Sequence, residues 1–115
     1  MKNKKLVLNV ALNYGGRLDI VNSVNNFYAN KANLKKITEK DIDCGLYTKG
    51  QSDVDLLIRT GGQQRMSNFL LWQSAYAELF FSKKLWPDFD EKVFVNALYF
   101  FQNTERKFGS ISKSI

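Results

Sequence analysis

Two arginines, a glycine pair and a serine crowd into one short stretch: Arg59, Gly61-Gly62, Arg65 and Ser67. Guanidinium groups present planar forks of donors that match the oxygens of phosphate and carboxylate groups. Paired glycines let a backbone turn sharply and approach a ligand closely. A serine opening a helix adds a hydroxyl and free amides, and the ensemble describes an anion site, most naturally for a phosphate or diphosphate. Each charge-assisted hydrogen bond in such a site contributes ~1.5–3 kcal/mol, so four or five hold a diphosphate firmly. The same residues also admit a purely structural reading. Arg59 can pair with Asp53 or Asp55, Gly61-Gly62 can be only a turn, and Ser67 only a cap. The stretch is not a Walker A loop, because no Gly-Lys-Ser/Thr follows four residues after a glycine. Asp53 and Asp55 are no metal pair, since alternate residues of a strand face opposite ways.

The surrounding pattern predicts the elements that position these groups. Leu6 to Leu12 is a short, nearly continuous apolar run ending at Asn13-Tyr14-Gly15-Gly16, which predicts a strand buried on both faces. From Arg17, Leu18, Val21, Val24 and Phe27/Tyr28 recur at helical steps. Thr38 and Asp41 predict a capping box for a short helix through Leu46. Val54 to Arg59 is a second strand, Ser67 opens a short helix, and Glu78 to Phe81 is a third strand. Asp88 and Glu91 predict a capping box for a last helix, whose Val93, Phe94, Ala97, Leu98, Phe100 and Phe101 form a broad apolar face. Strands alternating with helices imply an α/β fold, an open parallel sheet flanked by helices. Arg59 then ends a strand at the rim where such sheets bind ligands. Three strands make a thin sheet with two apolar edges, so it looks incomplete.

Composition narrows the class. The chain has 115 residues, 44% of them hydrophobic and 14% aromatic, which is globular and not disordered. With a single Cys44 and no histidine, an internal disulfide is impossible and a zinc site is not expected. The net charge of +6 is concentrated in residues 1–50, away from the arginine-glycine stretch, so it is no nucleic-acid footprint. It reads as solvated helix-surface lysines, with contact to an anionic membrane as the other use. No apolar run approaches the ~18 residues of a membrane span, and no signal-peptide core follows Met1. A reduced, cytoplasmic protein is expected, possible contact with the membrane being peripheral at its inner face.

Residue by residue, the central stretch resembles the signature block of the cis-prenyltransferases of the undecaprenyl diphosphate synthase type. It reads Asp55-Leu-Leu-Ile-Arg59-Thr-Gly-Gly-Gln-Gln-Arg65-Met-Ser67-Asn-Phe-Leu-Leu-Trp72-Gln-Ser-Ala-Tyr-Ala-Glu78-Leu-Phe-Phe. Asn13-Tyr14-Gly15-Gly16-Arg17 resembles a second block, Trp86-Pro87-Asp88-Phe89 a third, and Glu105-Arg106-Lys107-Phe108-Gly109 the basic terminus. The resemblance implies residues 1–115 to be the C-terminal half of one domain, about half of that fold, with residues 1–5 and 110–115 as tails. It implies a homodimer built on six-stranded parallel sheets. It also implies an enzyme that condenses isopentenyl diphosphate with an allylic diphosphate, with Mg²⁺, to make undecaprenyl-type products for a cell-wall lipid carrier. Arg59, Arg65, the Met66 backbone and Ser67 match the positions that grip isopentenyl diphosphate, and Glu78 matches a carboxylate that helps hold Mg²⁺. Asn13 to Gly16 is read as turn-shaping, and Trp72, Tyr76, Phe80 and Phe81 as core or dimer contact. Arg106 has two equal readings, reaching a diphosphate across a dimer or standing as a solvated charge at a helix end.

The chain also departs from the family pattern. Gln63 stands where the family usually has Glu, and Ser110 where a second Gly is usual. The family's Asp-Gly-Asn-Gly-Arg loop, which carries its catalytic Asp, has no counterpart here, so no catalytic residue is assigned in this chain. Two roles follow from the resemblance: the isopentenyl diphosphate part of an enzyme, inactive alone, or a non-catalytic dimerisation subunit.

Overall fold

A computed structural model describes residues 5–29 and 35–110, so the expected tail residues 1–4 and 111–115 lie outside the described set. The elements in chain order are α1 (Gly16–Ala29), α2 (Glu39–Gly45), β1 (Leu56–Arg59), β2 (Glu78–Phe81), a 3-10 turn (Trp86–Asp88) and α3 (Glu91–Gln102). β1 and β2 pair in parallel, with Leu56 beside Glu78 and Arg59 beside Phe81. The protein is therefore α/β with a parallel sheet and three helices, as the alternating pattern implied.

Local sequence explains the helix starts. Thr38 caps α2 with its side chain, and the Asp41 carboxylate reaches back to the Thr38 backbone N–H, the full capping box. α3 is capped by Asp90, whose side chain accepts from the Val93 N–H at 3.0 Å. The expected cap at Asp88 is thus displaced by two residues. Asp88 instead closes the 3-10 turn that Trp86 starts, with Pro87 in its first turn, a position proline favours.

Two expected elements are not formed. Residues 6–12 make no strand, and Leu6, Val7, Leu8, Val10 and Leu12 are all exposed. An apolar run becomes a strand only when a neighbour takes its backbone donors and acceptors, and the described sheet ends at β1. Nor does Ser67 open a helix: residues 67–76 form successive turns. Ser67, Asn68 and Leu70 have φ of 48°, 64° and 45°, a left-handed region that a right-handed helix cannot include.

The packing centre is polar. Asp19 is buried and accepts hydrogen bonds from Tyr14 Oη at 2.8 Å, the Tyr47 N–H at 3.0 Å and Gln73 Nε2 at 3.1 Å. Three donors repay the desolvation of this carboxylate and tie α1 to the segments after α2 and before β2. Among described residues the buried apolar side chains are Leu46, Leu57 and Ala97. α1 and α2 meet at Gly45, where a Cβ would stand 2.2 Å from Ser23 Oγ. That approach lets Ser23 Oγ donate to the Ile42 carbonyl at 2.6 Å.

Candidate functional site

β1 ends in Arg59, and the chain then turns through Gly61 and Gly62 at φ 89° and 78°, which glycine reaches without strain. The turn is anchored by Gly61 N–H to the Lys84 carbonyl (2.8 Å) and Gly62 N–H to the Ser82 carbonyl (3.0 Å). The space over it is open: a Cβ on Gly61 would meet nothing within 4 Å, and one on Gly62 only the Lys83 backbone at 4.0 Å. The loop then folds back on its own arginine. Arg59 Nη1 donates to the Arg65 carbonyl and, at 2.7 Å, to Ser67 Oγ.

Among the described residues, no acid pairs with this arginine. Asp55, one of its two candidate partners in a structural reading, is instead held by Arg106 Nη1 at 2.6 Å. Arg65 is exposed, and its guanidinium makes no hydrogen bond or ion pair among described residues. Arg59, Arg65, the Met66–Ser67 backbone and Ser67 Oγ are therefore grouped around an open glycine turn carrying uncompensated positive charge. Such an arrangement suits a compact polyanion. The helix amides expected behind Ser67 are absent, since that segment is not helical.

Glu78 lies elsewhere. It opens β2, level with Leu56, while Arg59 closes β1, so three strand residues, about 10 Å, separate their backbones along the strands. Glu78 Oε1 lies 4.0 Å from Arg106 Nε. The Arg106 guanidinium is set 5.3 Å from the Phe101 ring centroid and 4.4 Å from that of Phe108. Of its two sequence readings, the solvated helix-end charge is excluded, because Arg106 clasps Asp55 and the strand starts.

Sequence reasoning missed three neighbours of the site. Lys83 and Lys84 follow β2, and their backbone borders the glycine turn, bringing two more exposed cations to this end of the sheet. Their place after a strand adjacent to β1 was the available signal. Asn68 docks the Ser67 loop on the start of α1, accepting from the Arg17 N–H at 2.9 Å. No local pattern announces a contact over that distance in sequence.

A strand-end glycine turn flanked by two arginines on a parallel sheet defines the class, an α/β protein with a cationic turn at the carboxyl end of its sheet. The family model described as putative undecaprenyl diphosphate synthase matches residues 1–109, and the chain belongs to that family. It is 54% identical over 112 residues to the ditrans,polycis-undecaprenyl-diphosphate synthase of Haemophilus ducreyi, covering 93% of this chain and 46% of that protein. It is 47% identical over 113 residues to the isoprenyl transferase of Oceanobacillus iheyensis, covering 95% of this chain and 45% of that one. Among solved structures it is similar to lavandulyl diphosphate synthase from Lavandula x intermedia in complex with dimethylallyl diphosphate, at TM-score 0.78 and 38% identity. A probable undecaprenyl diphosphate synthase from Campylobacter jejuni gives TM-score 0.73 and 36% identity. Both comparisons cover 84% of this chain and 44% of the other. The chain thus spans about half the length of the relatives it matches. No helix among the described residues is long and apolar enough to cross a membrane.

Proposed function

We propose that this chain supplies the isopentenyl diphosphate site of a cis-prenyltransferase, corresponding to the C-terminal half of a family domain. The observation that carries the reading is the Arg59–Ser67 contact at 2.7 Å beside an open glycine turn, with exposed Arg65 in the same loop. Arg59, Arg65, the Met66 backbone and Ser67 grip the diphosphate, and the prenyl acceptor extends from it. The allylic diphosphate and the group that activates it belong to the remainder of a full-length family member. Activity therefore requires that remainder.

Mg²⁺ has a limited foothold. Glu78 offers one partly exposed carboxylate, and no group of three His, Cys, Asp or Glu among the described residues could hold a metal. Mg²⁺ binds through one or two carboxylates completed by substrate phosphates and waters, so Glu78 fits as one ligand of such a set. When bound, the ion neutralises charge developing on a departing diphosphate. The exposed Phe94, Leu98, Tyr99 and Phe100 of α3 support association with a second copy. The setting is cytoplasmic, with peripheral membrane contact through the surplus positive charge.

Isopentenyl diphosphate binding and use test the reading. In an enzyme reconstituted with the remaining part of a family member, Arg59→Ala or Arg65→Ala should lower kcat/KM for isopentenyl diphosphate roughly 30- to 1,000-fold, the loss of ~2–4 kcal/mol. The allylic substrate should be affected less. An unchanged kcat/KM for isopentenyl diphosphate would sink the assignment.

A further inference from the structure

The first backbone donors of a helix have no acceptor within it. In α1 two of them are taken by a residue far along the chain. The Asn68 carbonyl accepts from the Gly16 N–H at 2.7 Å, and Asn68 Oδ1 accepts from the Arg17 N–H at 2.9 Å. Both bonds depend on the left-handed backbone of Asn68, φ 64°, which asparagine tolerates better than most residues.

Gly15 and Gly16 make the approach possible. A Cβ on Gly15 would stand 3.1 Å from Asn68 Nδ2, and one on Gly16 3.1 Å from the Asn68 carbonyl and 3.0 Å from Leu71 Cγ. The Gly15-Gly16-Arg17 block is thus a receptor for Asn68. The next residue back, Ser67, is the one whose Oγ meets Arg59.

We propose that Asn68 is a positioning residue for the diphosphate site: by capping α1 it fixes the loop that aims Ser67 and the Met66 backbone at the ligand held by Arg59. The proposal rests on the isopentenyl diphosphate reading of that loop. A cap that served α1 alone would affect folding stability and leave ligand affinity unchanged.

Calorimetric titration of isopentenyl diphosphate into the chain co-produced with the remaining part of a close relative separates these outcomes, with Arg59→Ala as the control for the site. Asn68→Gly keeps the left-handed freedom and removes only the side-chain acceptor, and it should weaken binding about tenfold, the order of one lost hydrogen bond. Asn68→Asp keeps an acceptor and should stay within about threefold of the parent. If Asn68 acts through Ser67, the double variant Asn68→Gly/Ser67→Ala should bind no more than about twofold worse than Ser67→Ala, a coupling that independent sites lack. Arg17→Pro deletes the donor at a first-turn position where proline is tolerated. Set against Arg17→Ala, it should reproduce the loss even if Asn68→Gly fails to fold. Parent-like affinity in both Asn68→Gly and Arg17→Pro, or fully independent losses in the double variant, overturns the proposal alone. Parent-like affinity in Arg59→Ala overturns the site reading and this proposal with it.

Discussion

At the scale of single residues, the polar centre sets a measurable pH response. The Tyr14 phenol is pushed up to about 12, first by burial and then by the Asp19 carboxylate that accepts its hydrogen bond. Its ordinary value is about 10, so the folded chain holds this proton more tightly than the unfolded chain. The resulting stabilisation is complete below about pH 10 and is lost as pH rises through about 12. Urea midpoints measured at several values between pH 9 and 12 should fall more steeply for the parent than for Tyr14→Phe. Equal slopes would show that the Tyr14–Asp19 bond does not persist in solution. Arg59, Arg65 and Ser67 were legible as candidates because residue type alone announces anion chemistry. Asn68 was not legible, because its role lies in a bond to Arg17, fifty-one positions away.

Among the elements, two formed where the sequence placed them. β2 spans Glu78–Phe81 as its apolar run predicts, and α2 starts behind the Thr38 capping box. Residues 6–12 carry an equally clear apolar signal and form no strand, because pairing is a property of two segments and the second is not beside them. The failed helix at Ser67 has a different cause: tertiary bonds to α1 and Arg59 outweigh a local propensity worth only tenths of a kcal/mol per residue. The α1–α2 contact gives a prediction at this scale. Gly45→Ala places a methyl group against the Ser23 side chain and backbone, and overpacking of this kind costs ~1–3 kcal/mol. Chemical denaturation should show that loss. Restoration by a second change, Ser23→Gly, would locate it at this contact, whereas no loss would mean the helices separate easily.

The whole molecule is open for its size. Its accessible surface is 9955 Å² for a mass of 13.3 kDa. A folded monomer of that mass exposes about 6,500 Å². Even with the residues outside the described set counted as fully extended, an excess of about 1,700 Å² remains. The Cα radius of gyration is 17.3 Å, against about 13 Å for a compact chain of this length. Excess area of this order belongs to chains that bury an obligate interface. The purified chain should therefore associate or aggregate and should not elongate an allylic primer. Co-produced with the remaining part of a close relative, it should stay soluble and make long cis-polyprenyl diphosphate from labelled isopentenyl diphosphate. Elongation by the chain alone would show that the reaction needs nothing outside these residues.

The pairing of Asn68 with the start of α1 also constrains the order of assembly. Bringing Arg17 to a partner fifty-one positions away closes a long loop, whose entropic cost must be met before the bond forms. Turns and helices with local contacts form sooner. The arginine loop thus acquires its final shape late, after the helices that receive it. Replacing Asn68 should then leave the refolding rate nearly unchanged and accelerate unfolding, a low φ-value at the site itself.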